Sequence, residues 1–423
     1  MKLTQRDKAH IWHPLTQHQT ARAPVGIVKA TGSVLIDDQG KSYIDAIASW
    51  YTAMFGHCNP YITQAMTKQM QTLDFVMFSG FTHEPAIELS EKLVAILPDN
   101  QQKVFFNDNG STAVEAAIKM AIQYYHNKAQ KRDTLIAFED GFHGDTFGAM
   151  SASGLSSYNG PFEDFLLKVK RIPTPQDHNL EEVLALLTTI LEQNSCAGFI
   201  FEPLVQGAAG MKFHSAKGLD ALIAKCKAHD VLCIADEIMT GFGKTGTNFA
   251  VEQLQHSPDI MCLSKALTAG MFPLSITSCT QEIFNGFLSD QVHKGFFHAH
   301  TYSAHPVGCA AAIASIELLS SPEILKQQHY IAEAHLAFRA KIKQHPSVKQ
   351  VRCKGVILAI DLALEMQRYG NLRDELYEFF MARGVALRPL GNTLYVLPPY
   401  VITKQELATI YSAIEEALAH YKN

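Results

Sequence analysis

An α/β fold, with a mainly parallel sheet flanked by helices and a smaller α+β unit after it, is the class this sequence predicts, and three observations predict it. Short apolar runs rich in β-formers alternate with helical spacing over roughly two hundred residues, as parallel strands joined by right-handed crossovers do. Two of these runs, V-L-C-I-A-D-E from Val231 and D-I-M-C-L-S-K from Asp259, are almost wholly apolar and close on Asp236-Glu237 and on Lys265, as strands buried on both faces do. A chain of 423 residues also exceeds one small core, and its pattern changes near residue 320.

The elements follow in order. H-I-W-H-P at 10–14 reads as an extended arm, and the turn Asp38-Gln39-Gly40 joins the runs Val34 to Ile36 and Tyr43 to Ile44 into a hairpin. Trp50 and Tyr51 follow among small residues, which fits core packing and pocket lining equally. Helical spacing dominates from Tyr61, and an amphipathic helix from Glu84 stops before Pro98. K-V-F-F-N-D-N-G-S-T, from Lys103, is a strand and a Gly110-Ser111-Thr112 turn before an alanine-rich helix. Free N–H groups at such a helix start welcome a phosphate, although Ser111 equally fits a simple N-cap. The turn lacks the Walker Lys and the G-x-G-x-x-G of dinucleotide sites.

The strand from Thr134 runs into G-F-H-G-D-T-F-G, whose glycines allow close backbone approach and whose Phe142 offers a flat apolar face to a cofactor ring. A-G-F-I-F-E-P at 197–203 is another buried strand, and a helix from about Gly218 to Ala228 leads to the Val231 run. After Lys265, P-L-S-I-T-S-C-T is a further strand. His298, His300 and His305 invite a metal reading, but no carboxylate or Cys joins them at ligand spacing, so no metal is assigned. A long helical stretch from Pro306, two strand-rich segments and a final amphipathic helix complete the chain. The expected organisation is an arm and hairpin at 1–50 belonging to the small domain, a large cofactor-binding domain at 51–320 and the small domain at 321–423.

Charge narrows the partners. Lys and Arg total 36 against 41 Asp and Glu, with no basic block, so no nucleic-acid partner is expected. Eight cysteines form no C-x-x-C pair and several lie in apolar runs, as free thiols in a reducing compartment do. No apolar segment of about 18 residues and no signal-peptide core occurs, so a cytoplasmic protein without a membrane partner is expected.

A carboxylate and an amine at neighbouring strand ends lie where open α/β sheets bind ligands. Pyridoxal phosphate needs that pair: a Lys to bond its aldehyde and an acid to keep its ring nitrogen protonated. The plain alternative is a surface Lys and a strand-end Asp paired by chance.

Taken together, I-A-D-E-I-M-T-G-F-G-K-T-G and S-K-A-L-T-A-G resemble the class III, fold-type I pyridoxal-phosphate aminotransferases over nearly the whole chain. H-I-W-H-P-L-T, S-W at 49–50, V-M-F-S-G-F-T-H-E-P-A-I-E-L, G-F-H-G-D-T-F-G-A-M-S and R-P-L-G narrow the resemblance to the biotin-synthesis branch. That branch converts 8-amino-7-oxononanoate to 7,8-diaminononanoate with S-adenosyl-L-methionine as amino donor. The resemblance implies that Lys265 bonds the cofactor, Asp236 partners its ring nitrogen, Gly110 and Ser111 hold its phosphate and Phe142 stacks on its ring. It implies that Thr301 reaches the phosphate from the other subunit of a homodimer, and it sets His300 at the cofactor as well. It places Leu15, Trp50, Phe142 and Ala299 at the substrate, with Arg388 clamping the keto substrate's carboxylate. Four positions depart from the pattern: Leu15 and Phe142 replace tyrosines, Lys244 an Arg, and Ala299-His300 a Gly-Pro. The resemblance puts the phenols and the Arg towards the substrate side, so these departures bear on the donor, and a lysine-using relative or another ω-aminotransferase fits the same motifs. A single-substrate mutase or racemase and a non-catalytic binding protein are the readings from other classes.

Overall fold

The computed structural model describes residues 3–155, 159–366, 368 and 370–421. Its centre is a seven-stranded sheet in the order Gln101–Asn107, Ser275–Thr280, Ile260–Leu263, Leu232–Asp236, Cys196–Phe201, Thr134–Phe138, Val169–Ile172. All neighbours are parallel except Ser275–Thr280, which runs against both of its partners. The reason lies in its connection. A parallel return needs a crossover of a dozen or more residues, usually a helix, whereas only the short 3₁₀ turn Lys265–Thr268 separates Leu263 from this strand. The other six strands therefore end on one edge, where Asp236, Glu202, residues 139–145 and the turn before Gly110 collect.

The sheet is held by aromatic packing. Phe138, Phe199 and Phe201 are all completely buried, and the Phe138 and Phe199 rings meet edge-on at 5.4 Å. Fully burying each such side chain contributes about 1.5–3 kcal/mol. On one face lies the Gly110–Asn127 helix. Its alanines at 113, 116, 117 and 121 are fully buried, and their small size lets Thr277 donate directly to the Ala113 carbonyl at 2.8 Å. Asn109 caps this helix, its side chain accepting the Thr112 N–H at 3.1 Å while the Thr112 hydroxyl accepts the Asn109 N–H.

The hairpin forms at the expected turn. Gly40 has φ +84°, and Asp37 Oδ1 accepts the N–H groups of Gln39 and Lys41, both at 2.9 Å. Its strands, Ile27–Thr31, Val34–Asp37 and Ser42–Asp45, continue into Val385–Ala386, which lies parallel to Ser42–Asp45. A third sheet comprises Val348–Lys354, Ile357–Leu362 and Thr393–Val396. One feature departs from expectation: the arm is preceded by a helix, Leu3–His10, that buries no residue. Its sequence, LTQRDKAH, carries no apolar stripe, so periodicity had nothing to register.

No single described helix is long and apolar enough to cross a membrane. The apolar pair Pro306–Leu319 and Pro322–Ile342 is bent by 67°, and the first of the two helices is mostly buried. All eight cysteines are free thiols.

Candidate active site

Asp236 closes its strand at 3% exposure. One carboxylate oxygen accepts the Ile238 N–H at 3.1 Å, and the other lies 2.7 Å from His143 Nδ1. His143 is itself buried, and its Nε2 has no partner among the described residues. A carboxylate held on both oxygens keeps its orientation.

Lys265 follows the neighbouring strand. Asp236 is in register with Cys262, so Lys265 stands just past the sheet edge beside it. Its backbone has φ +50°, left-handed and costly for a side chain with a Cβ. Desolvation lowers the pKa of its amine, and the charges of Asp236 and Glu202 oppose that shift. Its Nζ lies 5.5 Å from the centroid of the Tyr51 ring.

The phosphate cradle is built from backbone. Asn109 satisfies the N–H groups of Thr112 and Ala113, which leaves those of Gly110 and Ser111 without acceptors among the described residues. The 141–145 loop presses onto this turn, with the Asp145 N–H 3.3 Å from Ser111 Oγ. At Gly144, φ is +130° and a Cβ would fall 2.1 Å from Ser111 Oγ, so only glycine fits.

A cavity of about 1090 Å³ opens beside this edge, walled by Leu15, Phe142, Ala208, Ala209, Tyr377 and Arg388 among others. Phe142 is 42% exposed and offers its ring to the cavity. The Arg388 guanidinium lies 5.8 Å from the Trp50 ring centroid, a cation–π contact that holds the fork over a flat apolar surface. Ala48, Ser49, Trp50 and Tyr51 all have positive φ, a run of strained backbone at the margin of the site.

Asp236, Lys265, Phe142, Gly110 and Ser111 are thus gathered at one edge, with Leu15 and Arg388 lining the adjoining cavity and Trp50 set against Arg388 without lining it. Ala299, His300 and Thr301 are not: Ala299 and Thr301 are exposed and none of the three lines the cavity. His300 Nδ1 instead lies 3.8 Å from Asp108, and His300 Nε2 lies 3.1 Å from that of His298. Lys244 also departs from its implied place on the substrate side. It is completely buried beneath the site, donating to the Gly241 carbonyl at 2.7 Å. Burial pushes its amine down to about 7, Lys265 adding to the shift and Glu237 opposing it.

His143 and Glu202 enter the site beyond the residues assigned from sequence. The G-F-H-G segment and the strand-end Glu202-Pro203 carried the signal, since both sit at strand ends on this edge. The donor set suits pyridoxal phosphate: free amides for a phosphate, an exposed aromatic face for a ring, an anchored carboxylate for a pyridine nitrogen and a desolvated amine for an aldehyde.

Known proteins resemble the chain over nearly its whole length. The family model described as aminotransferase class-III matches residues 16–418. An adenosylmethionine-8-amino-7-oxononanoate aminotransferase of Synechococcus elongatus is 44% identical over 97% of this chain and 98% of its own length. The enzyme of that name from Staphylococcus aureus is 34% identical over 99% of this chain and 97% of its own length. A crystal structure of the Methanocaldococcus jannaschii enzyme of that name superposes with a TM-score of 0.94 at 33% identity, covering 100% and 99% of the two chains. An ω-transaminase of Pseudomonas jessenii, solved in complex with PMP, gives a TM-score of 0.91 at 28% identity over 99% and 98%. With its Lys and Asp on the same sheet edge and its likeness running from end to end, the chain belongs to the class-III aminotransferases, enzymes that work with pyridoxal phosphate.

Proposed function

We propose that the protein transfers an amino group to 8-amino-7-oxononanoate, forming 7,8-diaminononanoate in biotin synthesis, with S-adenosyl-L-methionine as donor. The observation that carries this reading is one cavity with apolar walls at Leu15 and Phe142 and a guanidinium at Arg388, beside Lys265 and Asp236. A keto substrate with a long hydrocarbon chain and a terminal carboxylate matches it in shape and charge. The names of full-length relatives support the same substrate.

Bound pyridoxal phosphate supplies an aldehyde that captures amines and an electron-poor ring that accepts charge. The chain does the rest. Gly110 and Ser111 bind the phosphate through backbone N–H groups, and Phe142 covers the ring and excludes water. Asp236, aimed by His143, holds a proton at the ring nitrogen. Lys265 Nζ, neutral more readily than an ordinary lysine, takes the proton from the donor's α-carbon. Donor and acceptor use one cavity in turn, which gives ping-pong kinetics.

A homodimer completes the reading. Thr301 lies outside its own chain's cavity between the exposed Phe297 and Tyr302, and in the dimer it serves the phosphate site of the other protomer. The compartment is the cytoplasm, where eight free thiols stay reduced.

The test is to incubate protein, pyridoxal phosphate and 8-amino-7-oxononanoate with each candidate donor and to measure 7,8-diaminononanoate. Product with S-adenosyl-L-methionine is expected, and absence of product with every donor overturns the assignment. Arg388→Lys keeps the charge but loses the fork. The acceptor half-reaction is therefore expected to weaken by about 1.5–3 kcal/mol while the donor half-reaction is spared. Stopped-flow kinetics of the separate half-reactions checks this.

A lysine-using variant is the second reading, favoured by the missing hydroxyls at Leu15 and Phe142 on the cavity wall. Walls without hydroxyls select less sharply among polar donors. Leu15→Tyr/Phe142→Tyr is expected to change the ratio of single-turnover rates with S-adenosyl-L-methionine and lysine by about tenfold or more. An unchanged ratio shows that these positions do not set donor choice.

A further inference from the structure

Glu202 takes no part in the chemistry above, yet it is nearly fully buried, at 4% exposure, on the same sheet edge. Its two oxygens point to different pieces of chain. Oε2 accepts the Phe142 N–H at 3.0 Å and Oε1 accepts the Gly207 N–H at 2.9 Å. Phe142 forms one part of the cavity wall, and Ala208 and Ala209, directly after Gly207, form another. The ring of His214, 3.0 Å from the Glu202 carbonyl, fixes the backbone from behind.

We infer that Glu202 is a positioning residue whose carboxylate ties the Phe142 loop and the 207–209 loop into one rigid wall of the substrate cavity. The inference rests on reading that cavity as the substrate site. A carboxylate spans two amides because both oxygens are strong acceptors, whereas protonation puts a donor on one of them and leaves it a poorer acceptor. Protonation therefore weakens the tie to one of the two loops.

The groups around it bring this change close to neutrality. Burial pushes the Glu202 carboxyl up to about 7; His143 and the two amides oppose that shift, and Asp236 adds to it. Lys265 lies across from it as a cation when protonated, and Tyr51 is a further titratable neighbour. His214 stays neutral there, since burial lowers its ring to about 4. The cavity wall is thus tied above about pH 7 and loosened below it.

Hydrogen exchange of the full-length, cofactor-loaded protein tests this without any substrate. Protection of the Phe142 and Gly207 amides is expected to fall about tenfold for at least one of them between pH 8 and pH 6, measured as a protection factor. Constant protection across that range overturns the proposal, and this wild-type measurement decides whether or not a variant folds. Glu202→Gln keeps the volume but has one acceptor oxygen. It is expected to lose the protection of one amide at every pH and to raise KM for the keto substrate about tenfold. The rise in KM is expected to exceed any fall in kcat, and the acid limb of the KM profile is expected to vanish. Equal protection and an intact acid limb in the variant show that Glu202 positions nothing. Failure of 8-amino-7-oxononanoate as substrate leaves the exchange result standing, so the two readings fail separately.

Discussion

Lys265→Ala is expected to reduce turnover by roughly 10⁴-fold or more, because one amine serves both as the bonding partner of the cofactor aldehyde and as the proton carrier. The fold is expected to survive. Desolvation already weighs against the charged amine in the native state, and the nearby carboxylates of Asp236 and Glu202 keep hydrogen bonds of their own, so thermal melting is expected to shift by only a few degrees. Borohydride reduction of the cofactor-loaded wild type, followed by peptide mass spectrometry, is expected to place the pyridoxyl group on Lys265. Label on a different lysine overturns the assignment.

Asp236→Asn comes next in size. The variant keeps the shape of the side chain, but a neutral amide does not favour a protonated ring nitrogen, so the proton-transfer step is expected to slow by about a hundredfold or more. Cofactor affinity is expected to change far less, since the phosphate cradle at Gly110 and Ser111 and the Lys265 bond are untouched. A primary isotope effect on the donor's α-hydrogen, larger in the variant than in wild type, checks that the slowed step is this one. Equal activity in the variant rules out the role.

How much of this was legible in the sequence depends on the range of the interaction. Asp236 and Lys265 were readable because a buried strand is a short apolar run, and the residue that ends it lands on the ligand edge whatever the rest of the chain does. The Gly110 turn was readable for the same local reason. His143 and Glu202 were not assigned. Each does its work across the fold, His143 on a carboxylate 93 residues away and Glu202 on an amide 60 residues away, and no local pattern records such a meeting. Lys244 shows the converse limit. Its place in the G-F-G-K-T-G motif was plain, but a motif gives position along the chain rather than the direction in which a side chain points, and Lys244 points into the interior. The antiparallel course of Ser275–Thr280 likewise came from the shortness of a connection, not from the strand's own residues.

The pairing of Ser42–Asp45 with Val385–Ala386 has a consequence for how the molecule is made. Every group that handles the cofactor within one chain comes from between Gly110 and Lys265, but Arg388 and the strand leading to it emerge from the ribosome near the end of synthesis. At 5–20 residues per second the first-made hairpin waits roughly 20–70 s for its partner. During that interval its outer edge offers unpaired N–H and C=O groups to any passing strand. The cofactor half of the nascent enzyme therefore takes shape before the half that recognises the substrate, and a chain cut short before Val385 is left with an open sheet edge, a template for aggregation.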